Sequence, residues 1–200
     1  INGNFLFADS DGNLPTGIAG PVSAQFQLRG RWSNVTTNNV NPSFTTTLNE
    51  GANTASFDNN ANIKERTAYY SVSAIHNHCN AVLPGFTGMD LVLPTRVDLT
   101  TDTCNAFYDG SSINFYAQSA TCRALSLYAD VVYHEYGHGI NDKFYQSQGS
   151  FFNNGAMGEG YADVWALTLT QNPVMTLGYR FGFPESNIRR YDINPQIYPI

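Results

Sequence analysis

Apolar positions recur along the chain in two periods, and the change from one to the other divides it. Up to about residue 60 they fall in short alternating or aromatic runs, 4–8 and 22–28, separated by Asp-Gly, Pro-Thr-Gly and Asn/Thr clusters. Alternation bounded by turn residues predicts β-strands. From Ala61 to Ala81 the pattern changes to Ile63, Ala68, Tyr69, Val72, Ile75 and Cys79, uninterrupted by Pro or Gly. That spacing predicts an amphipathic helix.

Pro84 and Gly85 end the helix, and 89–93 reads as a strand stopped by Pro94. Residues 105–110 and 111–116 predict two strands around an Asp-Gly turn. The next helix is expected to begin near Arg123 and to carry Leu127, Val131, His134 and His138 on one stripe, at offsets of four, three and four. Residues 155–167 open a further helix, whose Glu159 and Asp163 share a face with the small Ala162 and Ala166. The expected fold is α+β: a strand-rich segment, 1–60, and a chemistry-bearing region, 61–200, in one continuous domain with a mixed sheet packed on the His134 helix.

Composition narrows the partners. A net charge of −6 with two lysines leaves no basic stripe for a phosphate backbone, so nucleic acid is not an expected partner. No apolar run approaches the roughly 18 residues of a membrane span, and no leader pattern stands at the start, so a soluble or already processed chain is expected. Oligomeric state is not legible. Few Lys and Glu beside many Asn, Thr, Ser and Tyr suit a secreted protein, and the odd set Cys79, Cys104 and Cys122 allows one disulfide. Cys104–Cys122 is the candidate pair, with three reduced thiols as the alternative. The sequon Asn34-Val35-Thr36 adds little. The oxygen-rich run 9–13 keeps Ca2+ open as a second ion, but it lacks a distal Glu and fits a hairpin turn better.

The chemistry is concentrated in His134-Glu135-Tyr136-Gly137-His138. On a helix, residues four apart lie one above the other, so both imidazoles can reach one ion with Glu135 beside it. Random order would give this pattern about 0.002 times per chain of this composition. Catalytic Zn2+ takes three protein ligands and an open position, and Glu159, 21 positions after His138, is the candidate third. Asp163, one turn on, is the candidate acceptor for the second ring N–H of a ligand, His134 first. Gly137 and Gly139 each cost the helix about 1 kcal/mol against Ala and are expected to keep the approach to the metal open. His76 and His78 stand two apart and cannot chelate one ion as helical neighbours.

His134-Glu135-x-x-His138 together with Gly158-Glu159-x-x-Ala162-Asp163 resembles the thermolysin-like metallopeptidases, a gluzincin family, and Met157-Gly158-Glu159-Gly160 is similar to its fungalysin branch. The resemblance spans roughly residues 64–200. It implies a zinc endopeptidase with a polypeptide substrate, Zn2+ on His134, His138 and Glu159, and Glu135 as general base. It further implies that Asn105 and Ala106, in the run Asn105–Gly110, contact substrate backbone, and that Arg189 contacts the carbonyl beyond the scissile bond. Phe151 and Phe152 stand where the family places a transition-state tyrosine, leaving Tyr145 as substitute, and no His follows His138. From this a C-terminal helical lobe is expected to be incomplete here, and a zinc-binding, non-catalytic adhesion or scaffold domain is the alternative. An aminopeptidase would need an acidic group for a free amine, and no such motif lies near the hairpin.

Overall fold

The helix expected over 61–81 forms as α1, Ile63–Val82, in the computed structural model of the chain, which describes residues 21–49, 53–152 and 154–193. The strand expected at 4–8 and the loop at 9–13 lie outside the described residues. α1 starts at a reciprocal cap: the Asn62 side chain accepts from the Glu65 amide (3.0 Å), and the Glu65 carboxylate accepts from the Asn62 amide (2.8 Å). Such a cap contributes about 1 kcal/mol. The predicted stripe Ala68, Val72, Ile75 and Cys79 is buried.

Six strands are organised around this helix: β1 (Val22–Gln27), β2 (Ser33–Thr37), β3 (Ser43–Leu48), β4 (Leu93–Leu99), β5 (Ala106–Tyr108) and β6 (Ile113–Tyr116). β1 and β3 form an antiparallel pair of their own. The other four form a mixed sheet in the order β2-β4-β6-β5, parallel except at β6-β5. Parallel strands cannot be joined by a tight turn, and α1 is the crossover between β2 and β4. β5 stands at the edge with β6 as its only strand partner among the described residues.

Pro94 does not stop a strand; it is the second residue of β4. The apolar run 89–92 forms a turn instead. Leu93 donates to the Trp32 carbonyl (3.1 Å) on the β2 side. Pro94 would face the opposite neighbour, and β6 joins only from Thr95 onward. The missing amide therefore interrupts no ladder.

The helix expected from Arg123 begins later, as α2 (Ala129–Ser147). Arg123 is held by its amide to the Tyr179 carbonyl (2.8 Å), Ala124 is extended, and 125–127 make one 3-10 turn. These tertiary bonds override the periodicity, so Leu127 lies before the helix rather than on its stripe. Asp130 in the first turn accepts from the Thr176 amide (2.6 Å). A carboxylate there also complements the helix N-terminus.

α3 (Gly155–Thr170) follows, capped by Asn154, and then a short antiparallel pair, β7 (Val174–Met175) with β8 (Arg189–Arg190). α2 and α3 pack closely at Gly137, where a Cβ would lie 3.1 Å from the Ala162 Cα and from the Trp165 Cβ. The expectation that this glycine opens a path to the metal is therefore corrected: it lets two helices approach. Gly139 faces Met89 and Tyr108 rather than an ion. The core between sheet, α1 and α2 includes Val72, Ile75, Val97, Ile113, Phe115, Val132 and Tyr136. Cys104 and Cys122 form a disulfide, and Cys79 is a buried thiol whose pKa burial pushes up to about 11.

Candidate metal centre

One turn of α2 carries His134 and His138 with their Nε2 atoms 3.1 Å apart and rings at 86°. From α3, Glu159 brings Oε2 to 3.2 Å from His134 Nε2 and Oε1 to 3.4 Å from His138 Nε2. On its other side His134 presents Nδ1 to Asp163 Oδ1 at 2.6 Å. A carboxylate only accepts, so that nitrogen carries a proton; the neutral ring offers the Nε2 lone pair to an ion, and the ring without an ion takes a second proton there and donates to Glu159. Three lone-pair-bearing groups aimed at one another repel unless a cation stands between them. Bonds of about 2.0–2.1 Å in a tetrahedron put ligand atoms about 3.3 Å apart, so the donor set fits zinc.

Glu135 also lies near, its carboxylate and the two imidazoles all within 4.8 Å of one another. Glu159 rather than Glu135 touches both rings, which leaves the Glu135 carboxylate beside the triangle. Glu135 is buried, and burial raises its pKa against the opposing pull of His134 and His138. Glu159 is 53 % exposed, and its bonds to His134 and His138 hold its carboxyl well below the usual range. Burial alone would depress His134, but bonds to Asp163 and Glu159 outweigh it and push its pKa up to about 9.

Asp163 is 2 % exposed and receives more than the sequence predicts. Arg189 donates to it through Nε (2.5 Å) and Nη2 (2.7 Å), and Tyr191 donates through its hydroxyl. Burial would raise the Asp163 pKa, but the bonds from His134, Arg189 and Tyr191 lower it overall. A carboxylate with all its acceptor positions filled orients its histidine without competing for the proton. Sequence reading missed Tyr191. The signal was available, since Arg189 and Tyr191 stand two apart in an extended segment and share a face.

The triangle opens into a cleft between β5 and α2, lined by Asn105, Ala106, Glu135, Phe152, Ile188 and Arg189 among others. Asn105 is exposed at the start of the edge strand, and Ala106 is buried against it. Tyr145 packs on Phe152 (4.9 Å) and does not line the cleft, so the substitute hydroxyl considered from the sequence is not offered there. His76 is buried, stacked 3.6 Å from Trp32 and bonded to Asp90 (2.9 Å), while His78 bonds Thr168. Both are engaged in packing.

Comparison with known proteins agrees with this geometry. A model described as the thermolysin metallopeptidase catalytic domain matches residues 17–142, and one described as fungalysin metallopeptidase matches 108–193. An extracellular metalloproteinase of Pyrenophora tritici-repentis is 31 % identical over 40 % of this chain, and the chain spans 15 % of that relative's length. The precursor of protealysin, a metalloproteinase from Serratia proteamaculans, superposes with a TM-score of 0.52 at 17 % identity, covering 84 % of this chain and 52 % of its own. That likeness is one of fold. With the first model running from the strand-rich region through both histidines of α2, the chain belongs to the thermolysin metallopeptidase family.

Proposed function

We propose that the protein is a secreted zinc endopeptidase acting on extended polypeptides, with residues 61–200 as its catalytic region. The observation that carries this reading is the donor triangle of His134, His138 and Glu159, with the Glu135 carboxylate beside it at the floor of a cleft edged by an open strand. Zinc held there supplies Lewis acidity, polarising a carbonyl oxygen and lowering the pKa of water. Every other role falls to the chain. Glu135 takes the proton of the attacking water and hands it to the leaving amine; burial, by raising its pKa, suits it to both acts. Asp163 fixes the His134 tautomer. The free edge of β5 pairs with substrate backbone at Asn105 and Ala106, as edge strands do with extended peptides. Arg189, oriented by Asp163, donates to the carbonyl beyond the scissile bond. The relative named as extracellular supports secretion, and no described helix is long and apolar enough to cross a membrane.

The test is metal analysis joined to Glu135→Gln. One zinc per chain in both proteins, with peptide hydrolysis reduced about 10³-fold in the variant, is the expected result. Equal rates would remove Glu135 as base. A second reading, a zinc-binding scaffold without turnover, draws on Phe152, which brings a ring and no hydroxyl to the cleft. It requires bound zinc and no hydrolysis in the parent. Cleavage of N-terminally blocked peptides separates an endopeptidase from an aminopeptidase, which leaves them intact.

A further inference from the structure

The substrate wall of the cleft is a strand of three residues. β5 is held in register by Ala106, Phe107 and Tyr108 opposite Phe115, Asn114 and Ile113, and no strand among the described residues pairs with its outer edge. At its C-terminal end the Tyr108 hydroxyl lies against α2, 3.2 Å from Asp142. At its N-terminal end the last ladder bond is the Tyr116 amide to the Asn105 carbonyl, 3.2 Å. The residue before Asn105 is Cys104, joined to Cys122.

Cys122 is fully buried, and its neighbours are clasped to another part of the cleft. Arg123 donates to the Tyr179 carbonyl (2.8 Å), and Phe181 donates to the Thr121 carbonyl (3.0 Å). The segment beyond Phe181 leads to Ile188 and Arg189 in the cleft. Cys104 itself sits at φ 57°, a left-handed conformation that residues with side chains rarely adopt. That conformation reverses the chain so that Asn105 enters the strand. One ladder bond at Asn105 and the disulfide beside it hold this end of the strand.

We infer that the Cys104–Cys122 disulfide is a positioning clamp for peptide binding: it pins the N-terminal end of the substrate-pairing strand to the segment that carries Leu125 and leads into α2. The clamp rests on the proposed peptidase reading for its substrate, but it acts on binding and not on the metal. Neither sulfur is among the residues lining the cleft, so removing them takes away no ligand and no base.

The experiment compares the parent with Cys104→Ser/Cys122→Ser, zinc-loaded, on an N-acetylated, C-amidated hexapeptide. KM is expected to rise about tenfold while kcat stays within about twofold and zinc content is unchanged, because ground-state and transition-state binding are lost together. In parallel, both forms are prepared in the Glu135→Gln background, where the dissociation constant of the same peptide is measured by calorimetry without turnover. A tenfold weaker constant there sustains the clamp even if the parent proves unable to hydrolyse, so the two proposals fail separately. If the serine pair does not fold, the folded Glu135→Gln protein is reduced with a water-soluble phosphine, alkylated, reloaded with zinc and titrated in the same way. Unchanged KM and dissociation constant, or loss of zinc in step with loss of binding, overturns the clamp.

Discussion

The two walls of the cleft are built on opposite principles. On the helical wall, α2 with α3, two central groups have their polar atoms engaged: Asp163 accepts from three side chains, and His134 is bonded on both ring nitrogens. The strand wall, β5, carries an unpaired edge and an exposed Asn105. Saturation makes the first wall rigid enough to hold an ion in fixed geometry, whereas the second must leave its hydrogen bonds for something else. The proposed catalysis needs both, and they should fail differently.

Zinc removal should separate them most widely. Chelation is expected to abolish hydrolysis and, since the ion binds only the folded chain, to withdraw about 4 kcal/mol of stability at a thousandfold excess over its dissociation constant. Hydrogen exchange should then accelerate in α2 around 134–138 and in α3 around 158–163. Equal acceleration in β5 and β6 would mean that the walls are one unit. Next in size, Asp163→Asn should lower zinc affinity about 10–100-fold, read by competition with a chromogenic chelator, with strand-wall exchange unmoved. Asn105→Ala should do the converse: KM up about tenfold, roughly 1.4 kcal/mol, with zinc affinity unchanged.

Two smaller effects test what supports each wall. Gly137→Ala gains helix propensity of about 1 kcal/mol but forces Ala162 and Trp165 aside, for an expected net loss of about 1–2 kcal/mol in chemical denaturation. At the tip of the β5–β6 hairpin, burial pushes the Asp109 pKa up, but bonds from Ser111 and Ser112 outweigh it and hold the carboxyl well below its usual value. A depressed folded pKa contributes stability above the unfolded value near 3.8 and loses it as pH falls through the folded one. Parent and Asp109→Asn should therefore differ in melting temperature at pH 7, with the gap narrowing as pH falls below about 3.8 and closing only below the depressed folded value. A constant gap would show that the Ser bonds act without the charge.

The helical wall was legible because its information is local. The spacing His134 to His138 is one helical turn, and Glu159 to Asp163 is another, so pattern alone assigns faces. What escaped was set by distant partners. The start of α2 is decided by Arg123 on Tyr179 and by Asp130 on Thr176, neither of which periodicity records. Pro94 reads as a strand breaker until the place of its missing donor is seen to fall on the side of β6, which joins only from Thr95. Tyr191 reaches Asp163 from an irregular segment 28 residues away. Gly137 reads as opening the approach to the metal, because the residues it lets in belong to another helix.

The contact at Gly137 also bears on the geometry of the donor triangle. Two donors ride on α2 and one on α3, so the distance between the helices sets two of the three sides of the donor triangle. With Ala162 and Trp165 closed against a bare Cα, the carboxylate of Glu159 stays within 3.2–3.4 Å of the two imidazoles, a spacing that fits ligand atoms about 2.1 Å from a zinc ion. A missing methyl group thus sets the reach of the third donor.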